Sequence, residues 1–319
     1  MEDDMKKDPW LTVVYRPDDF DPAFLERAIQ RMVDASTEDA GRAGFRYRAI
    51  PHHELIPGCG DRPQLWHHGS DLLQNRQLFQ VDDFSWDPQA HRHLTAIHRT
   101  VRASDSILLN QAFGAPEYLT TDKLAISQHA RRLGLPAART VAVPFGRYAR
   151  TALPLIDAEI GAGPYILKPR EMGMGFGVLK AETREQLAAG LDLTAQSGTA
   201  YIVQPYLPND GDLRVFVVAG QVVASEHRRP APGSYQAGTS QGGAGSGGTA
   251  ATRMTADSIR VAESLDASCL QVDWLLTEDG PIANEWSAGF GGHLALPADE
   301  RARWSAAYFD WARTVWSPN

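Results

Sequence analysis

Lys168 ends a short apolar run, Tyr165-Ile166-Leu167, and three glycines follow it at alternate positions, Gly173, Gly175 and Gly177. A second apolar pair, Val178-Leu179, comes next, and Thr183 with Gln186 has the spacing of a capping box. The flanks therefore read as two strands, and the stretch as a glycine-rich hairpin tip with a lysine at its base. Glycines let a backbone approach a ligand closely and aim bare N–H groups at it, which suits phosphate oxygens. A dinucleotide fingerprint needs G-x-G-x-x-G opening a helix, whereas here the spacing is G-x-G-x-G and the helix starts late. The G-K-[ST] of a P-loop is absent. An ordinary glycine-rich turn is the bland alternative, and the rest of the chain has to decide.

Two acids supply the complementary chemistry. Leu270-Gln271-Val272-Asp273-Trp274-Leu275-Leu276 alternates as a strand, Glu278-Asp279-Gly280 turns, and Pro281 to Trp286 returns with Glu285. Carboxylates brought together on neighbouring strands are costly unless a cation holds them, and Mg²⁺ carried by phosphates is a natural occupant. Solvent-facing acids on an exposed strand are the alternative. Lys123 sits in the first turn of a helix capped by Thr121 or Asp122, DKLAISQHARRLG, which stops at Gly134 before Pro136. A lysine there opposes the helix dipole, which hints at a nearby anion.

A different chemistry is offered by His52, His53, His67, His68, His91, His93 and His98. Their spacings include no H-x-x-x-H or H-E-x-x-H, so a metal site is the rival reading and surface or hydrogen-bonded histidines the plain one.

The elements that must position these groups follow from composition and order. The 319 residues are 43% hydrophobic, enough for two or three packed lobes, and a net charge of −8 without a basic run disfavours nucleic acid and membrane surfaces. Cys59 and Cys269 form no metal or disulfide pattern, and no run reaches membrane-spanning length, so a cytoplasmic protein is expected. Leu11 to Tyr15 reads as a strand, Asp21-Pro22 opens a helix through about Val33 carrying Phe24, Leu25 and Ile29, and Phe45 to Ile50 is a second strand. Ser106 to Asn110 extends this α/β lobe. Later, Asp210-Gly211-Asp212 reads as a turn, and Leu213–Val218 with Gln221–Ser225 as a hairpin around Ala219-Gly220. Residues 233–248 hold seven glycines and read as a mobile lid rather than a linker. Helices are expected from Met254 to Leu265 and Arg301 to Trp316.

With these pieces in order, the chain resembles the ATP-grasp superfamily, nearest the branch of ribosomal-protein glutamate ligases (RimK-like) and bacterial glutathione synthetase. The likeness covers about residues 105–292 and rests on TDKLAISQHARRLGLPAART, YILKPREMGMGFGVLKAET, YIVQPYLPNDGDLRVFVVAGQVVASEHRR and QVDWLLTEDGPIANEWSAG. It implies an α/β ATP-grasp fold with an N-terminal pre-ATP-grasp domain at 1–112, a central lobe at 113–203 and a C-terminal lobe at 204–319. It implies ATP and Mg²⁺, and ligation of a carboxylate to an amine, each a small molecule or peptide, with a homo-oligomer compatible. By position, Lys123 and Lys168 match phosphate-binding lysines and Gly173–Gly177 the flap over the triphosphate. Gln204, Tyr206 and Leu207 match the strand that reads adenine. Asp212 and Arg214 match a D-x-R element, and Arg228 and Arg229 an arginine pair facing the acyl phosphate or substrate. Asp273 and Glu285 match metal ligands. Ser287 stands where the family usually has Asn, Gln204-Pro205 where it has Gln-Glu, and Gln236 and Gly238 where a substrate loop often reads R-x-N. These departures point away from glutathione-type or polyglutamate substrates. A nucleotide-binding protein without ligase chemistry is the reading they leave open.

Overall fold

The computed structural model describes residues 8–17, 21–82, 85, 87–110, 120–237, 242–288 and 292–317. The Phe24 side chain, Gly238 and the expected boundary at 112/113 lie outside them.

Strands β1 (Trp10–Tyr15), β2 (Arg46–Pro51), β6 (Leu78–Val81) and β7 (Ile107–Leu108) form a parallel sheet in the order β2-β1-β6-β7. Between β2 and β6, β3 (Leu55–Cys59), β4 (Pro63–His67) and β5 (Ser70–Asp71) make an antiparallel meander. Helix α1 (Pro22–Arg42) runs well beyond Val33, because Met32 and Ala40 continue its buried stripe. It ends where Gly44 takes a positive φ of 83°. Helix α2 (Pro88–Arg102) occupies the histidine-rich stretch. Asp87 caps it by accepting the Gln89 and Ala90 N–H groups, and Pro88 fits the first turn, where no N–H is needed.

The next unit holds α3 (Lys123–Arg132), β8 (Val141–Ala142), α4 (Leu153–Glu159), β9 (Tyr165–Pro169), β10 (Leu179–Ala181), α5 (Arg184–Thr194) and β11 (Tyr201–Pro205). Its antiparallel sheet runs β10-β9-β11-β8. The glycine hairpin expected from the sequence forms, with Leu167 opposite Leu179. Thr183 caps α5 through the Gln186 N–H, while the Gln186 side chain accepts from Glu182 N–H. Tyr165, Leu167, Leu187, Leu191 and Val203 close the core beneath.

A five-stranded antiparallel sheet completes the frame: β12 (Asn209–Val218), β13 (Gln221–Arg229), β14 (Ala244–Gly247), β15 (Cys269–Thr277) and β16 (Gly280–Ser287), ordered β14-β13-β12-β15-β16. Alternation gives it two faces. Leu213, Val215, Val272, Trp274 and Trp286 pack beneath α3 and α6 (Thr252–Ser264), and Trp274 Nε1 donates to Ser258. On the other face Phe216, Val218 and Ala224 meet Tyr308 and Phe309 of α7 (Ala298–Trp316) and Leu11 and Leu78 of the first sheet. Burying each such side chain contributes about 1.5–3 kcal/mol. Further along that face the side chains become charged.

One local expectation changes. Asp210-Gly211-Asp212 is not a free turn but part of β12, where the ladder to β15 shifts register. Gly211 has φ +94°, and a Cβ there would overlap the Arg228 carbonyl. Within residues 233–248, Ala244–Gly247 is a strand laddered to β13, with Glu226 opposite Gly247 and Arg228 opposite Gly245.

Candidate active site

The charged end of the five-stranded sheet faces the glycine hairpin, and both lysines singled out in the sequence reach it. Lys123 is placed by its own helix start. The Asp122 carboxylate caps α3 through Leu124 N–H and also takes the Arg170 guanidinium, while Lys123 N–H donates to the Arg170 carbonyl at 2.9 Å. The Asp122–Arg170 pair thus clamps the first turn of α3 to the end of β9. Lys123 Nζ then donates to the Met172 carbonyl at 2.5 Å, in the hairpin loop, and lies 3.5 Å from Glu285 Oε2. Lys168, on β9, donates from Nζ to Asn284 Oδ1 at 3.1 Å.

Asn284 and Glu285 are consecutive, yet both meet lysines. The reason is a bulge in β16: Asp273 pairs with Glu285 and Trp274 with Ala283, which leaves Asn284 as the extra residue. A bulge re-aims a side chain that regular alternation would send to the far face. Asn284 was not singled out by sequence reasoning, and no spacing signal announces a bulge.

Behind the lysines lies an ion network. Arg214 grips Asp273 with both ends of its fork, at 2.8 and 2.9 Å, and Arg228 bridges Asp273 Oδ2 at 2.8 Å and Asp212 Oδ1 at 2.6 Å. The register explains the convergence, since Arg214 stands opposite Asp273 on one side and Glu226 on the other, and Asp212 opposite Arg228. Burial alone would raise the Asp273 carboxyl, but the Arg214 and Arg228 charges and hydrogen bonds hold it far below the usual range. Asp212 moves the other way: burial and the neighbouring Asp273 charge raise it against the pull of Arg228. Burial would weaken the Arg228 proton, yet Asp273 and Asp212 hold it well above its ordinary value.

Burial also dominates at Lys168, lowering it to about 8; Lys123 adds repulsion, and Glu285 and Asp212 oppose the shift. A desolvated ammonium with one amide oxygen as partner is poised for an anion. The loop above it has the required backbone. Met174, Gly175 and Gly177 all have positive φ, at 60, 74 and 69°, and a Cβ at Gly177 would stand 3.0 Å from both Pro169 Cγ and Tyr201 Oη. Gly173 has open space around its Cα.

The remaining predicted residues sort clearly. Gln204 is buried and its amide donates to Thr140 Oγ1 at 2.9 Å, so its side chain ties β11 to β8's approach. Tyr206 N–H donates to the Pro164 carbonyl at 2.8 Å, and Lys180 Nζ sits 3.9 Å over its ring. The Leu207 carbonyl accepts from Asn209 Nδ2. Ser287 lies opposite Gln271, two residues beyond Glu285 on the same strand. Arg229 stands apart: adjacent to Arg228 in a strand, it points to the other face, half exposed, 3.7 Å from Asp210. Tyr235 Oη and Gln236 Nε2 donate to the Val178 carbonyl at 3.0 and 3.5 Å, tying the loop after β13 to the hairpin.

The histidines occupy other places. His93 Nε2 bonds the His52 and Leu55 carbonyls at 3.0 and 2.9 Å, and burial lowers His98 to about 4 against a hydrogen bond to the Asn110 backbone. Among the described residues, Glu54, His67 and His68 form a group of donors close enough for one ion, with both Nε2 atoms 3.1–3.2 Å from Glu54 Oε2. That group sits on the β3–β4–β5 meander, which contributes no residue to the cluster described above.

The arrangement has counterparts among known proteins. The chain is 28% identical over 165 residues to "Probable alpha-L-glutamate ligase" of Alcanivorax borkumensis, covering 50% of this chain and 55% of that protein. It is 25% identical over 201 residues to a protein of the same name from Aeromonas salmonicida, covering 62% and 65%. The match thus spans little more than half to two thirds of these relatives. Among solved structures, D-cycloserine synthetase DcsG superimposes with a TM-score of 0.70 at 16% identity, over 94% of this chain and 98% of that one. ATP-grasp ligase PsnB complexed with minimal precursor gives 0.66 at 17% identity, over 96% and 99%. At such identities the likeness is one of fold. The profile described as "RimK-like ATP-grasp domain" matches residues 120–293, more than half of the chain and the whole span that builds the cluster, and on that ground the protein belongs to the RimK-like ATP-grasp family.

Proposed function

We propose that this protein is an ATP-dependent carboxylate–amine ligase that forms an amide through an acyl phosphate, with an amino acid or peptide among its substrates. The observation that carries the reading is the meeting of Lys123 and Lys168, from two separate elements, with Glu285 and Asn284 beneath a glycine hairpin. Two ammonium groups beneath a glycine-rich backbone that can come close to a ligand suit a triphosphate.

In this reading the nucleotide lies between a central lobe, 113–203, and a C-terminal lobe, 204–319. Gly173, Gly175 and Gly177 cover its phosphates, and Lys123 and Lys168 neutralise them. The hinge at Gln204, Tyr206 and Leu207 reads adenine through its backbone. Because Tyr206 N–H is already bonded to Pro164, that contact falls to the neighbouring groups, the Pro205 carbonyl and Leu207 N–H.

The acidic groups fit Mg²⁺ in part. Glu285 is partly exposed and faces the lysines. Asp273 Oδ2 accepts from both arginines, but Oδ1 accepts only from Arg214 and so keeps a lone pair. Glu285, Asp273 Oδ1 and the Ser287 hydroxyl would hold the ion, which would offset the phosphate charge during transfer. The chain's own contribution is positioning. Arg214 and Arg228, locked by Asp273 and Asp212, present fixed guanidinium N–H donors where the carboxylate attacks the γ-phosphate and where the acyl phosphate then sits. Attack by the amine releases phosphate. The two unpaired cysteines and the lack, among the described residues, of a helix able to cross a membrane accord with a cytoplasmic site of action.

The test is Mg²⁺-dependent ADP release across amino acids and short peptides, offered as carboxylate and as amine. Release that requires both partners supports ligation. ATP binding without release under any pair would leave a nucleotide-binding protein instead.

A further inference from the structure

Among the described residues, Glu226 is a carboxylate of the charged face that the reaction above does not use. It is 1% exposed, and its Oε1 is buried without a hydrogen-bond partner. Its position is fixed by two ladders, opposite Arg214 on one side and Gly247 on the other. Both nearby guanidinium groups are already committed, Arg214 to Asp273 and Arg228 to Asp273 and Asp212. Among the described residues, Asp212, Asp273 and Glu226 therefore share two guanidiniums, with Lys168 the next cation and acting on Asp212, and Glu226 Oε1 is the oxygen left without a donor. Burial raises the Glu226 carboxyl although Arg228 and Arg214 pull it down.

The cover over this group is made of the smallest residues. β14 reads Ala244-Gly245-Ser246-Gly247, and a Cβ on Gly245 would overlap Glu226 Oε1. Gly245 therefore allows the backbone to close directly on the Glu226 carboxylate, whereas a Cβ on Gly247 would meet Glu300 Oε1. β14 is an exposed edge strand held by one neighbour, so lifting it opens a path to the group. An unpartnered buried acid is costly, and such cost concentrates at functional sites.

Resting on the ligase reading, we propose that Glu226 is the catalytic residue that receives a primary amine, pairing with it in the bound state and taking its proton as the amide forms. The amine nitrogen attacks the acyl carbon and the N–C bond forms. The bond from that carbon to the phosphate oxygen breaks, with its electron pair leaving on phosphate. The ammonium that pairs with Glu226 gives up two protons: Glu226 Oε1 takes the first, which frees the lone pair for attack, and the departing phosphate carries the second, while Glu226 returns its own to solvent when the product leaves. A carboxyl whose affinity for protons is raised by burial is a better acceptor at neutral pH than an exposed one.

The test compares wild type with Glu226→Gln on a carboxylate–amine pair that supports ADP release, using hydroxylamine as a second nucleophile. Hydroxylamine is neutral at pH 7 and attacks an acyl phosphate without help from a base, giving a hydroxamate. The expected result is a loss of about 10² in kcat with the amine, flattening of the acid limb of its pH profile, and rescue by hydroxylamine. Equal losses with both nucleophiles, or no loss with the amine, overturn the assignment to Glu226 while leaving the ligase reading intact. A wild-type chain that releases no ADP with any pair removes both.

Discussion

Lys168→Met separates what this lysine does for function from what it costs the fold. In the folded chain the lysine is lowered from 10.5 to about 8, chiefly by burial. A shift of that size corresponds to about 3 kcal/mol at neutral pH, an upper figure because the side chain keeps some solvent contact. Methionine matches the stem and removes the charge, losing in return the bond to Asn284, which as a charged hydrogen bond is worth about 1.5–3 kcal/mol. The net is a gain near 1 kcal/mol at pH 7, or about 2–4 °C in Tm. The gain depends on pH. Between pH 8 and 10.5 the unfolded lysine holds its proton and the folded one has released it, so wild-type stability rises through that window. Below about pH 8 both states are charged and the whole cost is present. The melting difference should therefore be largest at pH 7 and shrink towards pH 10. Turnover should move oppositely, falling about 10²–10³-fold through loss of one charged donor. The assays are thermal melts at several pH values and ADP release by a coupled assay. A variant that melts lower at pH 7, or turns over within tenfold of wild type, would refute the reasoning.

Other outcomes follow from the same contacts. Arg228→Met leaves Asp212 and Asp273 with one guanidinium fewer in a buried place and should destabilise by about 3–5 kcal/mol, read by urea unfolding. Arg229→Ala, on the outer face, should change stability by less than about 0.5 kcal/mol, and a kcat loss as large as that of Arg214→Ala would show that it turns inward during reaction. Glu285→Gln should raise the Mg²⁺ concentration needed for half-maximal ADP release at least tenfold, and an unchanged requirement would move the ion elsewhere. Gly245→Ala forces a methyl onto Glu226 and should cost about 1–3 kcal/mol by overpacking, seen as a lower Tm.

What could be read from the sequence was whatever depends on neighbours along the chain. Lys168 at the base of the hairpin, the Thr183 cap and the helix start at Thr121 or Asp122 are set by short-range signals, and the structure places the last of these caps at Asp122. The acid pair was legible because Asp273 interrupts an apolar run and Glu285 sits just past the turn. What escaped depends on register. Asn284 reaches Lys168 only because β16 carries a bulge, and Glu226 becomes isolated only because β14 folds back over it. Asp210-Gly211-Asp212 has the composition of a turn, yet the ladder to β15 and the Asp212–Arg228 bond hold it in a strand. Arg228 and Arg229 look equivalent as a pair, but strand alternation sends one into the network and the other outward. The start of α2 was written in Asp87-Pro88, and the histidines around it drew attention to metal chemistry instead.

The most direct measurement of the central claim follows an oxygen atom. If the clustered lysines, arginines and acids serve acyl-phosphate chemistry, a carboxylate substrate labelled with heavy oxygen should pass one labelled atom to the released phosphate, seen by mass spectrometry. Phosphate carrying none of that label, while ADP and amide still accumulate, would contradict the account.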